Sequence, residues 1–393
     1  LPVMFGIGWL ASRWDLRLEN RMDERERIRQ QRSTFKGLSL LLNEQPDQAI
    51  ETLVKIAQLD PETIELHFAL GNLFRRRGET ERAIRVHQHL ANRDDLKPRD
   101  RDHAAYELGR DFLRAGLLDR AEASLNRVGD GKFAAPAKES LLEMYQIERD
   151  WKKAIVAASE LEGLQGKSHH TEIAQFHCEL GQEALRRKDL PEVEQSIQLA
   201  LQAVPHHARA LILQGDYLIA MDRPAQAIEV WAVIAKTHPA YMHLLADRWM
   251  AAHTALNKAD EGLSALCELL KTQASGELLD IVQKHMMKIR GAQAAEAMLV
   301  QVMQDSPSLS ALSKLAETRL MLAQTNSGSP ERIADLQATL SLLKQRTTSL
   351  ARYTCGNCGF RARRFYWQCP GCNHWEAYSP RRSEGVAPSG PSM

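Results

Sequence analysis

The chain has 393 residues, 44% apolar and 26% charged, the balance of a soluble protein long enough for two or three ordinary domains or one long repeat array. A formal net charge of +1 excludes a protein built throughout to coat nucleic acid. Aromatic residues make up only 6%, and the bulk is rich in the helix formers Leu, Ala, Glu, Gln and Arg.

Residues 1–12 open with an uninterrupted apolar stretch, Leu1 to Ala11, that stops at Ser12-Arg13. It is shorter than the roughly 20 residues a bilayer span requires. We read it as the C-terminal end of a transmembrane anchor, with a clipped signal peptide or an apolar cap on the next helix as the alternatives. Residues 13–32 carry arginines at 13, 17, 21, 25 and 29 and acids at Asp15, Glu19 and Asp23. That spacing predicts a charged juxtamembrane helix with a basic and an acidic face, and arginines beside an apolar segment favour a cytoplasmic side for the rest of the chain.

From residue 33 to 350 an internal repeat dominates. Gly37 and Ala49, Gly71 and Ala83, Gly109 and Ala121, and Gly215 and Ala227 are each twelve apart, and Gly181 has Val193 in the matching place. Gly37 to Gly71 and Gly181 to Gly215 are each 34 residues, with Pro61, Pro205 and Pro239 at matching closes. Two helices cross closely where small residues face each other, while Leu40, Phe74, Phe112, Tyr145 and Leu218 fill the space a turn further on. The pattern resembles the tetratricopeptide repeat. One repeat departs from it, with Leu142 at the first small position, Ala154 at the second, and Gly129-Asp130-Gly131 loosening the junction before them. Beyond Tyr241 the markers fade although amphipathic helical periodicity continues, giving eight or nine helix pairs in all and a break at Ser327-Gly328-Ser329-Pro330. The fold expected is all-α: a superhelical solenoid of tetratricopeptide repeats with a small C-terminal module.

That module, residues 351–380, holds Cys355-Gly356-Asn357-Cys358-Gly359 and, with ten residues between Cys358 and Cys369, Cys369-Pro370-Gly371-Cys372. Two CxxC turns facing each other make a closed tetrahedral site of four thiolates. A stretch this short lacks the residues for a core of its own, so a metal ion, or two disulfides, must hold it. The metal reading is preferred because the remaining cysteines, Cys178 and Cys267, are far apart and read as core residues. Four thiolates leave no open position, so the site is structural, or a one-electron iron centre, and not hydrolytic; iron and zinc both accept it. Tyr353, Phe360, Phe365, Tyr366, Trp367, Trp375 and Tyr378 crowd the same stretch. Trp367 and Trp375, with Arg363 and Arg364, are the candidate partner-binding residues, and both indoles are expected at a contact with the repeats or with a partner. The tail 381–393, rich in Ser, Gly and Pro, reads as disordered.

Other candidates carry less. His87 and His89 point to different sides of a helix and cannot chelate one metal, and His206 and His207 follow Pro205 at a repeat boundary, where exposure is the default. His169 and His170 receive no metal role either. The sequence holds no GxxxxGK[ST], GxSxG or HExxH, and the expectation is a non-enzyme. Two rival readings are a zinc ribbon binding single-stranded nucleic acid through Arg352, Arg361, Arg363 and Arg364, and an iron centre passing electrons.

The full architecture resembles the lipopolysaccharide assembly protein B family. The stretches that carry the resemblance are Leu70-Gly71-Asn72-Leu73-Phe74-Arg75, Gly78-Glu79, Arg82-Ala83-Ile84-Arg85, Leu108-Gly109-Arg110-Asp111, Ala115-Gly116-Leu117, Asp119-Arg120-Ala121-Glu122 and Tyr366-Trp367-Gln368-Cys369-Pro370. The resemblance implies a single-pass protein of the bacterial inner membrane with its bulk on the cytoplasmic side. It also implies an adaptor that promotes degradation of the deacetylase LpxC by the membrane-anchored protease FtsH and gathers other lipopolysaccharide enzymes. The family's rubredoxin-like ligands fall on Cys355, Cys358, Cys369 and Cys372, with iron favoured by that likeness and zinc by the short ten-residue gap. No nucleic-acid partner is expected, and homodimerisation is left open.

Overall fold

A computed structural model describes residues 63–273, 275–326, 329–350 and 353–379. The anchor expected at 1–12, the charged helix at 13–32, the Gly37–Ala49 repeat, Arg352 and the tail 381–393 lie outside the described residues. Among those described, no helix is long and apolar enough to cross a membrane. The chain divides into two compact units between Lys167 and Ser168.

The first unit contains α1 (Ile64–Arg76), α2 (Thr80–Ala91), α3 (Pro98–Arg114), α4 (Leu118–Leu125), α5 (Ala134–Glu148) and α6 (Trp151–Gln165). Each odd-numbered helix packs on the next, and α1 touches α3 as α3 touches α5, the nearest-neighbour stacking of a helical repeat. The close crossings fall where the small residues predict them. A Cβ on Gly71 would lie 2.4 Å from His87 Nε2 and one on Gly109 would lie 2.6 Å from Leu125 Cγ, while Ala83, Ala121 and Ala154 have no exposed surface. Leu142 and Ala154 are both buried, so the departing repeat keeps its second small position and carries a large residue at the first. The unit also buries charge. Arg75 on α1 bonds the Glu107 carboxylate and reaches Asp111 Oδ1 at 2.9 Å, both on α3, and Asp111 Oδ2 lies 2.5 Å from His87 Nδ1 on α2.

The second unit contains α7 (His170–Arg187), α8 (Leu190–Ala203), α9 (Ala208–Ala220), α10 (Pro224–Thr237), a 3₁₀ turn (Pro239–Leu244), α11 (Ala246–Ala255), α12 (Ala259–Thr272), α13 (Gly276–Ile289), α14 (Ala292–Asp305), α15 (Leu309–Thr325) and α16 (Pro330–Leu350). Side chains of Asp189, His207, Ser275 and Ser308 accept the backbone N–H three residues on and cap α8, α9, α13 and α15. The described residues thus hold eight helix pairs, with the predicted Gly37–Ala49 pair outside them.

The fading of the repeat markers after Tyr241 has a physical cause. In the pair α9/α10 the small residue sits on the first helix, where a Cβ on Gly215 would lie 2.0 Å from Trp231 Nε1. In α11/α12 the sizes are exchanged: Trp249 on the first helix donates to the Gly262 carbonyl at 3.2 Å, and a Cβ on Gly262 would lie 2.6 Å from His253 Cγ. The crossing is as tight, but a search for glycine on the first helix misses it.

Candidate metal centre and its seat on the repeats

After α16 the chain forms a two-strand ribbon, β1 (Tyr353–Thr354) and β2 (Arg361–Ala362), antiparallel with Tyr353 opposite Ala362. Cys355 and Cys358 occupy the turn of this hairpin, and Cys369 and Cys372 a second turn. The two turns are built alike. The N–H of Gly359 donates to Cys355 O at 3.0 Å, and that of Asn373 to Cys369 O at 2.8 Å. Both residues take positive φ, 73° at Gly359 and 56° at Asn373, the left-handed conformation that glycine and asparagine tolerate best.

The turns bring four sulfurs to within 4.8 Å of one another, with Cys355 Sγ 3.8 Å from Cys372 Sγ and Cys358 Sγ 3.7 Å from Cys369 Sγ. Hydrogen-bond donors converge on them: the Gly371 N–H reaches Cys369 Sγ at 3.4 Å, the Asn357 amide reaches Cys372 Sγ at 3.4 Å, and the Tyr378 hydroxyl lies 3.6 Å from Cys369 Sγ. Burial opposes the Cys369 thiolate, yet the Tyr378 hydroxyl and nearby backbone amides bring its pKa down to about 6. Cys358 is pushed up to about 12. Four thiols this close do not all ionise unless a cation neutralises them, so the donor set fits a metal ion. Cys178, by contrast, is fully buried in the repeats with its thiol pushed up to about 12 by desolvation, an inert core residue.

The module sits on the repeats of its own unit. Tyr353, buried at the start of β1, donates to Glu277 Oε1 on α13 at 3.0 Å and has His243 Nε2 at 3.2 Å on its other side. Trp367 stacks on Tyr241 with ring centroids 5.2 Å apart, and Phe365 meets the same Tyr241 edge-on at 5.9 Å. Trp375 meets Phe176 on α7 edge-on at 5.8 Å. The Arg209 guanidinium on α9 lies 5.8 Å from the Trp367 ring and 5.9 Å from that of Trp375, fixed by Gln175, Glu179 and Gln182 of α7. Glu376 accepts from Gln175 Nε2 at 2.8 Å and His207 Nε2 at 2.9 Å.

Of the candidate partner-binding residues, Trp367 and Trp375 therefore face the repeats, whereas Arg363 and Arg364 are exposed. His207 corrects the expectation of exposure after Pro205: His206 is exposed, but His207 is buried and turned inward as the cap of α9. Sequence reasoning did not single out Gln175, Arg209, Tyr241, His243, Glu277 and Glu376 for this seat. No local pattern marks them, because each belongs to a helix or turn whose partner lies far along the chain.

Residues 353–380 match the family model described as rubredoxin metal binding domain. Lipopolysaccharide assembly protein B of Escherichia coli (strain K12) is 32% identical over 388 residues, covering 97% of this chain and 97% of its own length. The chain belongs to the lipopolysaccharide assembly protein B family. The family's protein from Haemophilus influenzae is 28% identical over 393 residues, covering 97% of this chain and 96% of its own. Among solved structures, the TPR2AB domain of yeast Sti1 in complex with pHSP90 matches at 16% identity and TM-score 0.35, covering 71% of this chain and 98% of that one. Within this family member, the four-cysteine cluster and the matched domain support a metal bound by cysteine.

Proposed function

We propose that this protein is a non-enzymatic adaptor, tethered at the cytoplasmic face of the inner membrane by the segment 1–12. In this reading it promotes FtsH-dependent proteolysis of LpxC and gathers other lipopolysaccharide enzymes. The observation that carries the reading is the end-to-end match, 97% of both chains, to lipopolysaccharide assembly protein B. Stacked helix pairs supply the extended surface an adaptor needs, and a tether raises the effective concentration of partners already at the membrane. Cys355, Cys358, Cys369 and Cys372 hold one iron or zinc ion. That ion would supply no open coordination position; its role is to keep the ribbon folded on the repeats.

The test is a pull-down of the tethered full chain from its own cells, alongside a Cys355→Ser plus Cys358→Ser version, with LpxC turnover followed in parallel. Recovery of FtsH, LpxC or other lipopolysaccharide enzymes by the wild type and their loss in the cysteine variant is expected. Unchanged LpxC turnover when residues 351–393 are deleted would make the module dispensable. Metal analysis of the purified chain decides between iron and zinc.

A further inference from the structure

The metal module keeps its acid and its arginines in different surroundings. Its only acidic residue among 353–379, Glu376, is turned to the repeats and accepts from Gln175 and His207. On β2, Ala362 points inward and Arg361 outward, and Arg363 and Arg364 follow exposed. Phe360, the residue before β2, keeps 44% of its surface exposed. A divalent ion on four thiolates would leave two negative charges inside the module, and three exposed arginines lie within the four residues 361–364 beside it.

We propose that this exposed stretch, Phe360 with Arg361, Arg363 and Arg364, binds an acidic segment of a protein partner with an apolar residue that packs on Phe360. The proposal deepens the adaptor reading above and rests on it. Charge complementarity selects the acidic partner: the one carboxylate among residues 353–379, Glu376, is engaged by Gln175 and His207 of the repeats. Pre-organisation adds to it, because the Arg364 guanidinium is held over Tyr366, 5.0 Å from the ring centroid, by an Nε–H bond to the Tyr366 hydroxyl at 2.7 Å.

Two other anionic partners fit the same charge less well. A membrane surface calls for an aromatic that protrudes, but Phe360 lies across the second cysteine turn, where a Cβ on Gly371 would come within 3.1 Å of its ring. A single nucleic-acid strand calls for a row of aromatic faces. Here Phe365, Trp367 and Trp375 are against the repeats, Tyr353 and Tyr378 are buried, and Arg364 covers Tyr366, so Phe360 alone of the seven is open.

The experiment uses the metal-loaded full chain and three probes: a fluorescein-labelled peptide of alternating glutamate pairs and leucines, labelled polyuridine, and phosphatidylglycerol vesicles. The peptide is expected to bind. Its affinity should fall about tenfold or more in Arg363→Glu/Arg364→Glu and severalfold in Phe360→Ala, while Arg186→Glu/Arg187→Glu, the same charge change on exposed α7 surface, leaves it unchanged. If the double reversal fails to load metal, Arg363→Gln/Arg364→Gln takes its place and must still weaken binding. No peptide binding by the wild type, no effect of either double variant, or stronger binding of polyuridine or vesicles than of the peptide overturns the proposal. Recovery of lipopolysaccharide enzymes in cells together with no peptide binding here would remove this surface and leave the adaptor reading standing.

Discussion

Glu376 of the metal module and His207 of the repeats are joined by a 2.9 Å hydrogen bond although 169 residues separate them. Their roles are fixed by the helix cap: His207 Nδ1 accepts the Ala210 N–H at 3.3 Å, so Nε2 carries the ring proton and donates it to the carboxylate. Burial works against that carboxylate, but the bonds from His207 and Gln175 prevail and hold its pKa below the usual value of 4.5. A depressed folded pKa contributes stability that is full above 4.5 and is lost as the pH falls through the folded value. The contact is therefore expected to release in acid and to hold at neutral pH. Glu376→Gln at neutral pH should weaken the seat by about 1 kcal/mol, read as faster hydrogen exchange across residues 353–379 with α1–α6 unaffected; equal exchange in the variant would show that Trp367 and Trp375 hold the module without it.

Removing the metal should separate module from repeats. The ribbon has a core of only Tyr353, Cys355, Ala362, Cys369 and Tyr378, and a structural metal contributes on the order of 10 kcal/mol in modules of this kind. A chelator, or Cys369→Ser, is expected to unfold residues 353–379 and free Trp367 from Tyr241 and Trp375 from Phe176. Tryptophan emission should then shift to the red while the helical circular-dichroism signal changes little. A large loss of helix would mean that the repeats of this unit depend on the module for their own folding.

The solenoid was legible because its determinants are local and periodic. Gly71 with Ala83 and Gly109 with Ala121 mark crossings that recur in the structure, and Cys355, Cys358, Cys369 and Cys372 announce themselves by spacing alone. Where size moved from one helix to its partner, as at Trp249 and Gly262, the periodic signal vanished while the packing stayed. The seat of the module was not legible for a different reason. Arg209 between two indoles, or Tyr353 between Glu277 and His243, depends on the three-dimensional course of the repeats, which no short pattern encodes.

The close crossings predict opposite outcomes for one substitution at two glycines. Alanine is favoured over glycine in a helix by about 1 kcal/mol. At Gly163 on α6 a new Cβ meets nothing within 4 Å, so Gly163→Ala should stabilise the first unit by up to about that amount. At Gly215 the Cβ would lie 2.0 Å from Trp231, a side chain with no exposed surface, and overpacking typically costs about 1–3 kcal/mol. Gly215→Ala should lower the urea midpoint of the second unit. A midpoint at or above wild type would show that Trp231 moves aside freely.

The buried charges of the first unit give it an acid-sensitive hold. Burial alone would raise the Glu107 pKa, but hydrogen bonding from His103 and the charge of Arg75 outweigh it and bring it down to about 2, against an ordinary 4.5. Because the folded value is the lower one, the stabilisation is complete above 4.5 and drains away as the pH falls from 4.5 towards 2, by on the order of 3 kcal/mol. Arg75→Met removes the guanidinium that Glu107 and Asp111 share and leaves both carboxylates buried. Breaking a buried pair from one side typically costs about 3–5 kcal/mol, so the variant should melt well below wild type at pH 7. It should also lose part of its further destabilisation between pH 4.5 and 2, since the depressed pKa rests in part on Arg75. Urea titrations of both proteins across that range check this, and parallel pH profiles would show that His103 holds Glu107 without Arg75.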